Sequence, residues 1–102
     1  MKFKNVMEFN TTEEITEYIS GGNYNLSSLI VDTILYNLKN KKKEMLIVSF
    51  ITKDTDLIYD IIVNRKDFIE TLNQNLPLME RYEDYERCQN IVNALKYLRG
   101  EK

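Results

Sequence analysis

A chain of 102 residues with a formal charge of −2 suffices for one modest domain and gives no electrostatic reason to expect nucleic acid or an anionic membrane as partner. It holds no His and a single Cys, Cys88, which removes the commonest general base, the commonest transition-metal ligand, any internal disulfide and any Cys-based zinc site. Three Gly, one Pro and no Trp leave little material for phosphate loops, so most enzyme classes are disfavoured and no cofactor or small-molecule substrate is expected.

Residues 2–9, KFKNVMEF, set Phe3, Met7 and Phe9 on one side of an extended segment, which makes residues 1–10 a strand or a docking arm. Thr11 and Glu14 have capping-box spacing, with Asn10 and Glu13 as a second register. Ile15, Tyr18 and Ile19 then share a helical face until Gly21 and Gly22, so a short helix is expected over residues 12–20. A second helix, from near Ser27 to about Lys39, is apolar around more than one stripe through Leu26, Leu29, Ile30, Ile34 and Leu38. Such breadth predicts a central helix.

Residues 45–63, MLIVSFITKDTDLIYDIIV, form two apolar runs around a polar tip and predict a β-hairpin. With KDTD at the tip, Thr52 faces Leu57. Phe50–Tyr59, Val48–Ile61 and Leu46–Val63 then share one wholly apolar face, and Ile51–Ile58, Ser49–Asp60 and Ile47–Ile62 share the other.

A helical hairpin is expected over residues 65–99. Asn64 is placed as its cap, with Val63 stapling against Phe68. Phe68, Ile69, Leu72, Leu76, Met79 and Tyr82 keep one phase through Pro77, which predicts one kinked helix. Asp84 caps the last helix, whose stripe is Tyr85, Cys88, Ile91, Val92, Leu95 and Leu98. The expected whole is a single α+β domain over residues 1–102. It has the order (β)ααββαα, a small antiparallel sheet and four helices.

The corner ERYEDYERCQNIVNALKYL, residues 80–98, resembles the UVR motif, a helical hairpin of bacterial nucleotide-excision repair proteins. Asp84, Tyr85 and Glu86 match the acidic–aromatic–Glu turn of that motif, and Ile91, Leu95 and Leu98 its apolar ladder. Cys88 and Gln89 stand in place of its paired small residues, and Val92 and Asn93 in place of its Arg-Asp. The resemblance implies a protein-contact hairpin without catalysis.

Several residues invite a sharper reading. Asp60, in mid-strand among isoleucines, reads as a polar partner of Ser49 in preference to a tuned carboxylate or metal ligand, because no second acid or His converges on it. Lys39, Lys41, Lys42 and Lys43 are a weak nucleic-acid candidate, better explained as a solvated helix end favoured by the dipole. Glu80, Glu83, Asp84 and Glu86 fit no calcium loop. Cys88 reads as a structural thiol. Tyr24, beside the Gly pair, reads as an exposed contact.

The informative feature is the second face of the hairpin. Ile47, Ile51, Ile58 and Ile62 around Asp60 are more apolar strand surface than the first helix can shelter with Ile15, Tyr18 and Ile19. Burying each isoleucine is worth about 1.5–3 kcal/mol, so another copy or another protein is expected to cover them. Asn, Ile, Lys and Tyr, all with AT-rich codons, are over-used, which suits a phage or an AT-rich bacterium. No run of 18 apolar residues and no signal-like start is present, so the cytoplasm or a virion is the expected location. The expectation is a non-enzymatic assembly or interaction subunit, as a phage virion or accessory component. A phage-encoded inhibitor of a host protein and a small nucleic-acid-binding regulator are the alternatives.

Overall fold

The computed structural model describes residues 6–100. In chain order these form β1 (Val6–Phe9), α1 (Thr12–Ser20), α2 (Tyr24–Tyr36), β2 (Glu44–Thr52), β3 (Ile58–Asn64), a single 3₁₀ turn (Arg65–Asp67), α3 (Phe68–Arg81) and α4 (Tyr85–Arg99). The α+β class and the expected element order are those observed. Phe3 lies outside the described residues.

The sheet order is β1-β2-β3, with β2 central. β1 runs parallel to β2, with Val6 opposite Ser49 and Phe9 opposite Thr52. The ladder continues past β1, since Lys53 N donates to Phe9 O at 2.9 Å and Asp54 N to Asn10 O at 3.2 Å. Parallel neighbours need a crossover, and α1 with α2 supplies it. The sheet is therefore mixed, and only the hairpin is antiparallel.

At its tip the hairpin has the expected register, pairing Ile51 with Ile58, Phe50 with Tyr59, Ser49 with Asp60 and Val48 with Ile61. Asp56 closes the turn at φ +56°, where Thr52 N donates to Leu57 O at 3.1 Å. Towards the far end the register changes. An irregularity between Leu46 and Val48 places Leu46 opposite Ile62 and Met45 opposite Val63. The extra residue, Ile47, turns into the core and is 2% exposed. A bulge does this by opposing two residues to one, which reverses the facing of everything beyond it. The expected Leu46–Val63 and Ile47–Ile62 pairs are accordingly not made.

Local chemistry sets the helix limits. Thr11 Oγ1 accepts from Glu14 N at 3.3 Å, so α1 starts where the spacing places it, while Glu14 Oε1 reaches past the cap to accept from Asn10 N at 2.8 Å. α2 begins at Tyr24, earlier than expected, because Asn23 is its cap and accepts from Leu26 N at 3.0 Å. At its other end Arg65 donates to the carbonyls of Asn37, at 3.0 Å, and Leu38. Asn37 O is one of the orphan acceptors of the helix terminus, and Leu38 O lies one residue beyond it. Asn64 makes no side-chain cap bond. The 3₁₀ turn intervenes, and α3 then runs unbroken through Pro77.

All four helices contribute to one core. Val31, Ile34, Val48, Phe50, Phe68, Leu72, Met79 and Ile91 are fully buried. α2 packs on β2, α3 and α4, the central position its broad apolar surface predicts. On α4 the buried set is Ile91, Ala94, Leu95 and Leu98. Tyr85 and Val92, expected on that stripe, lie about 100° or more around the helix from Ile91 and stand in solvent.

Candidate functional site

Sheet pleating sends alternate side chains to opposite faces, and the helices choose between them. The ring of Tyr18 on α1 meets Phe9 edge-on at 5.5 Å and Phe50 at 5.9 Å, and Phe9 meets Phe50 at 5.3 Å. α1 therefore lies on the same side as the core, with α2. It does not cross to the other face of the hairpin.

That outer face carries Val6 and Glu8 from β1, Leu46, Ser49 and Ile51 from β2, and Ile58, Asp60 and Ile62 from β3, as the two registers require. Ile58 is 64% exposed, Val6 50% and Ile62 49%. Ile51, flanked on both sides by neighbouring strands, is half-buried. Among the described residues no helix covers this face. Of the residues expected there, Ile51, Ile58, Asp60 and Ile62 are in place. Ile47 is not, because the bulge turns it inward, and Leu46 takes its position. Val6 and Leu46 were missed. The alternation of β1 could have flagged Val6, whereas nothing in the sequence marks the bulge.

Asp60 has a simple role on this face. Ser49 Oγ donates to its Oδ1 at 2.7 Å, so the carboxylate leans over β2 and Ser49 is 4% exposed beneath it. At the rim Lys53 stands 4.0 Å from Glu8, both mostly in water, a pair of small energetic worth.

The other candidates have structural explanations. Lys39, Lys41, Lys42 and Lys43 are all exposed after α2. Lys43 shares a depression of about 270 Å³ with Asn64, Arg65 and Lys66. The Arg65 guanidinium there is committed to the end of α2 and lies 5.3 Å over the Phe68 ring. No three of the described Cys, Asp and Glu side chains converge as a metal site. Cys88 is half-buried, and burial, then Glu80 and Asp84, push its thiol up.

Asp84 instead anchors a network that the sequence hides. It caps α4 by accepting from Arg87 N at 3.2 Å, and Tyr24 O–H donates to its Oδ2 at 2.5 Å. Arg87 Nη1 donates to the same oxygen at 2.6 Å, while Nε and Nη2 reach Asp32 at 2.9 and 2.7 Å. The hydrogen bond from Tyr24, then that from Arg87, hold the Asp84 carboxyl below the usual range. Tyr24 also stacks on Tyr82 at 4.7 Å. It is an internal tie between α2 and the α3–α4 corner, where an exposed contact was expected.

No described helix is long and apolar enough to cross a membrane. Comparison with protein-family models, with curated proteins and with solved structures finds no match.

Proposed function

We propose that this protein acts by binding protein through the outer face of its sheet, as a non-enzymatic assembly or accessory subunit, with a virion component as its form. One observation carries the reading: Ile58, Ile62 and Val6 stand in solvent on a sheet face over which no described helix lies. Burial of an isoleucine is worth about 1.5–3 kcal/mol, so a partner that covers this patch gains what the fold itself forgoes. At its centre Ser49 Oγ donates to one oxygen of Asp60, and a partner that covers the face has to supply a donor for the other. The likeness of the α3–α4 corner to a protein-contact hairpin is a second, independent support.

The test is association. Light scattering on the pure chain, with co-purification from its source, reveals either self-assembly or a partner. Ile58→Asp and Val6→Asp, on opposite edge strands, then weaken the complex at least roughly tenfold while circular dichroism stays native. A monodisperse monomer with no partner, or global unfolding of both variants, rules the reading out.

A further inference from the structure

Among the described residues β3 is an edge strand of the sheet, and the chemistry of its free side narrows the partner. In an antiparallel ladder, residues alternate between pairs that exchange both backbone bonds and pairs that point both groups away. Thr52 N donates to Leu57 O at 3.1 Å, which makes that pair a bonded one. Through the tip register, Tyr59 and Ile61 then bond to β2, and Ile58 and Asp60 point their N–H and C=O outward. Past the bulge, Arg65 N donates to Lys43 O at 2.7 Å, so Val63 bonds inward and Ile62 and the N–H of Asn64 point outward. The bulge thus lets Ile58, Asp60, Ile62 and Asn64 present one unbroken row of bonding groups along the free side of β3.

Edge strands of soluble proteins are usually blunted by Lys, Pro, a bulge or an outward-turned charge. The stretch Ile58–Val63 holds no Lys and no Pro, and the bulge is in β2. Its single charge, Asp60, is drawn back over β2 by Ser49. The helices pack on β1 and β2, and leave Tyr59 and Ile61 of β3 half-buried on the inner face.

We propose that the partner at this edge is a second copy of the chain, with β3 pairing antiparallel to β3 about a two-fold axis at Ile61, so that two sheets join into one. This rests on the protein-binding reading above. It extends that reading, because the two outer faces become one continuous face. A two-fold pairing is isologous, and only a few registers are open to it. Centring on Asp60 sets two carboxylates directly opposite, which is destabilising, and leaves Asn64 out. Centring on Ile62 leaves Ile58 without a partner. Centring on Ile61 sets Asp60 opposite Ile62 and Ile58 opposite Asn64, so that all four residues of the row face a partner. On the inner side it brings Ile61 against Ile61 and Tyr59 against Val63, which covers the half-buried pair.

The register is testable. Residues facing each other in non-bonded antiparallel pairs lie about 4.5 Å apart at Cα, within disulfide reach. In a Cys88→Ala background, Ile61→Cys therefore oxidises to a covalent dimer, as does the double variant Tyr59→Cys, Val63→Cys, whereas Tyr59→Cys alone does not. In the unsubstituted protein, the amides of Ile58, Asp60, Ile62 and Asn64 exchange roughly tenfold or more slower at high than at low concentration. This second readout stands if a cysteine variant fails to fold. Exchange at these four amides that is independent of concentration overturns the pairing, as does a folded Ile61→Cys chain that stays monomeric under oxidation. If either occurs while Val6→Asp still weakens an association, the edge proposal fails and the face reading survives.

Discussion

The guanidinium of Arg87 forks onto the carboxylate of Asp32, with Nε 2.9 Å from Oδ1 and Nη2 2.7 Å from Oδ2, and so joins α4 to α2 across 55 residues of chain. Its remaining nitrogen turns the other way, to Asp84, whose side chain is only 13% exposed. Asp32 is 52% exposed. The two halves of the fork therefore differ in worth. Arg87→Met should cost about 1.5–3 kcal/mol in urea unfolding, because it strips a charged partner from the sheltered Asp84. Asp32→Asn should cost under about 1 kcal/mol, since water screens that side. Equal costs would contradict this division.

The same network makes stability depend on pH. The Asp84 carboxyl is held below its ordinary value, first by Tyr24 O–H and then by Arg87, so the folded state binds its proton less readily than the unfolded chain. Stability from this group is complete above the unfolded value near 4 and is lost as pH falls through the lower folded value. Thermal melts of the native chain and of Asp84→Asn should differ by a constant amount above about pH 5 and converge below about pH 4. A gap that widened in acid would have the wrong sign.

The bulge gives two neighbouring apolar positions opposite fates. Ile47 is 2% exposed and Ile62 49% exposed. Ile47→Ala should destabilise by about 2–4 kcal/mol through lost burial and a residual cavity, and Ile62→Ala in the monomer by under about 1 kcal/mol. Denaturant midpoints at low concentration separate the two. Similar losses would mean that both isoleucines share one face, the arrangement without a bulge.

Cys88 offers a chemical probe of the corner. Burial raises its thiol pKa, with Glu80 and Asp84 adding to the effect, so little thiolate forms near neutral pH. Alkylation by a maleimide at pH 7.5 should be roughly tenfold or more slower in the folded protein than in urea. Arg87→Met, which loosens the corner, should speed it. Equal folded and unfolded rates would show an open thiol.

The legible parts of this chain were those that depend on near neighbours. Thr11 with Glu14, and Asp84 with Arg87, are bonded within a single turn, so the starts of α1 and α4 follow from spacing alone. The breadth of the apolar surface on α2 announced its central place. The hairpin register was right where the turn controls it and failed past Ile47, since a bulge is chosen by what the core must swallow and not by alternation. The direction of β1 was likewise invisible, because a strand's own residues do not record which way its partner runs. Tyr24, Asp32, Asp84 and Arg87 carry no local pattern that unites them, and only the tertiary packing brings the four together. Of the outer face, Ile51, Ile58, Asp60 and Ile62 were legible from alternation near the tip; Leu46 inherits its place from the bulge.

The parallel seating of β1 has a kinetic consequence. β2 and β3 meet through a short turn and can zip within microseconds, whereas β1 reaches β2 only after both intervening helices have been laid down. Refolding should therefore show the amides of the hairpin guarded early and those of the Lys53–Phe9 junction last. During that interval both margins of a greasy two-stranded ribbon are open, which is when crowding by sister chains would do most harm.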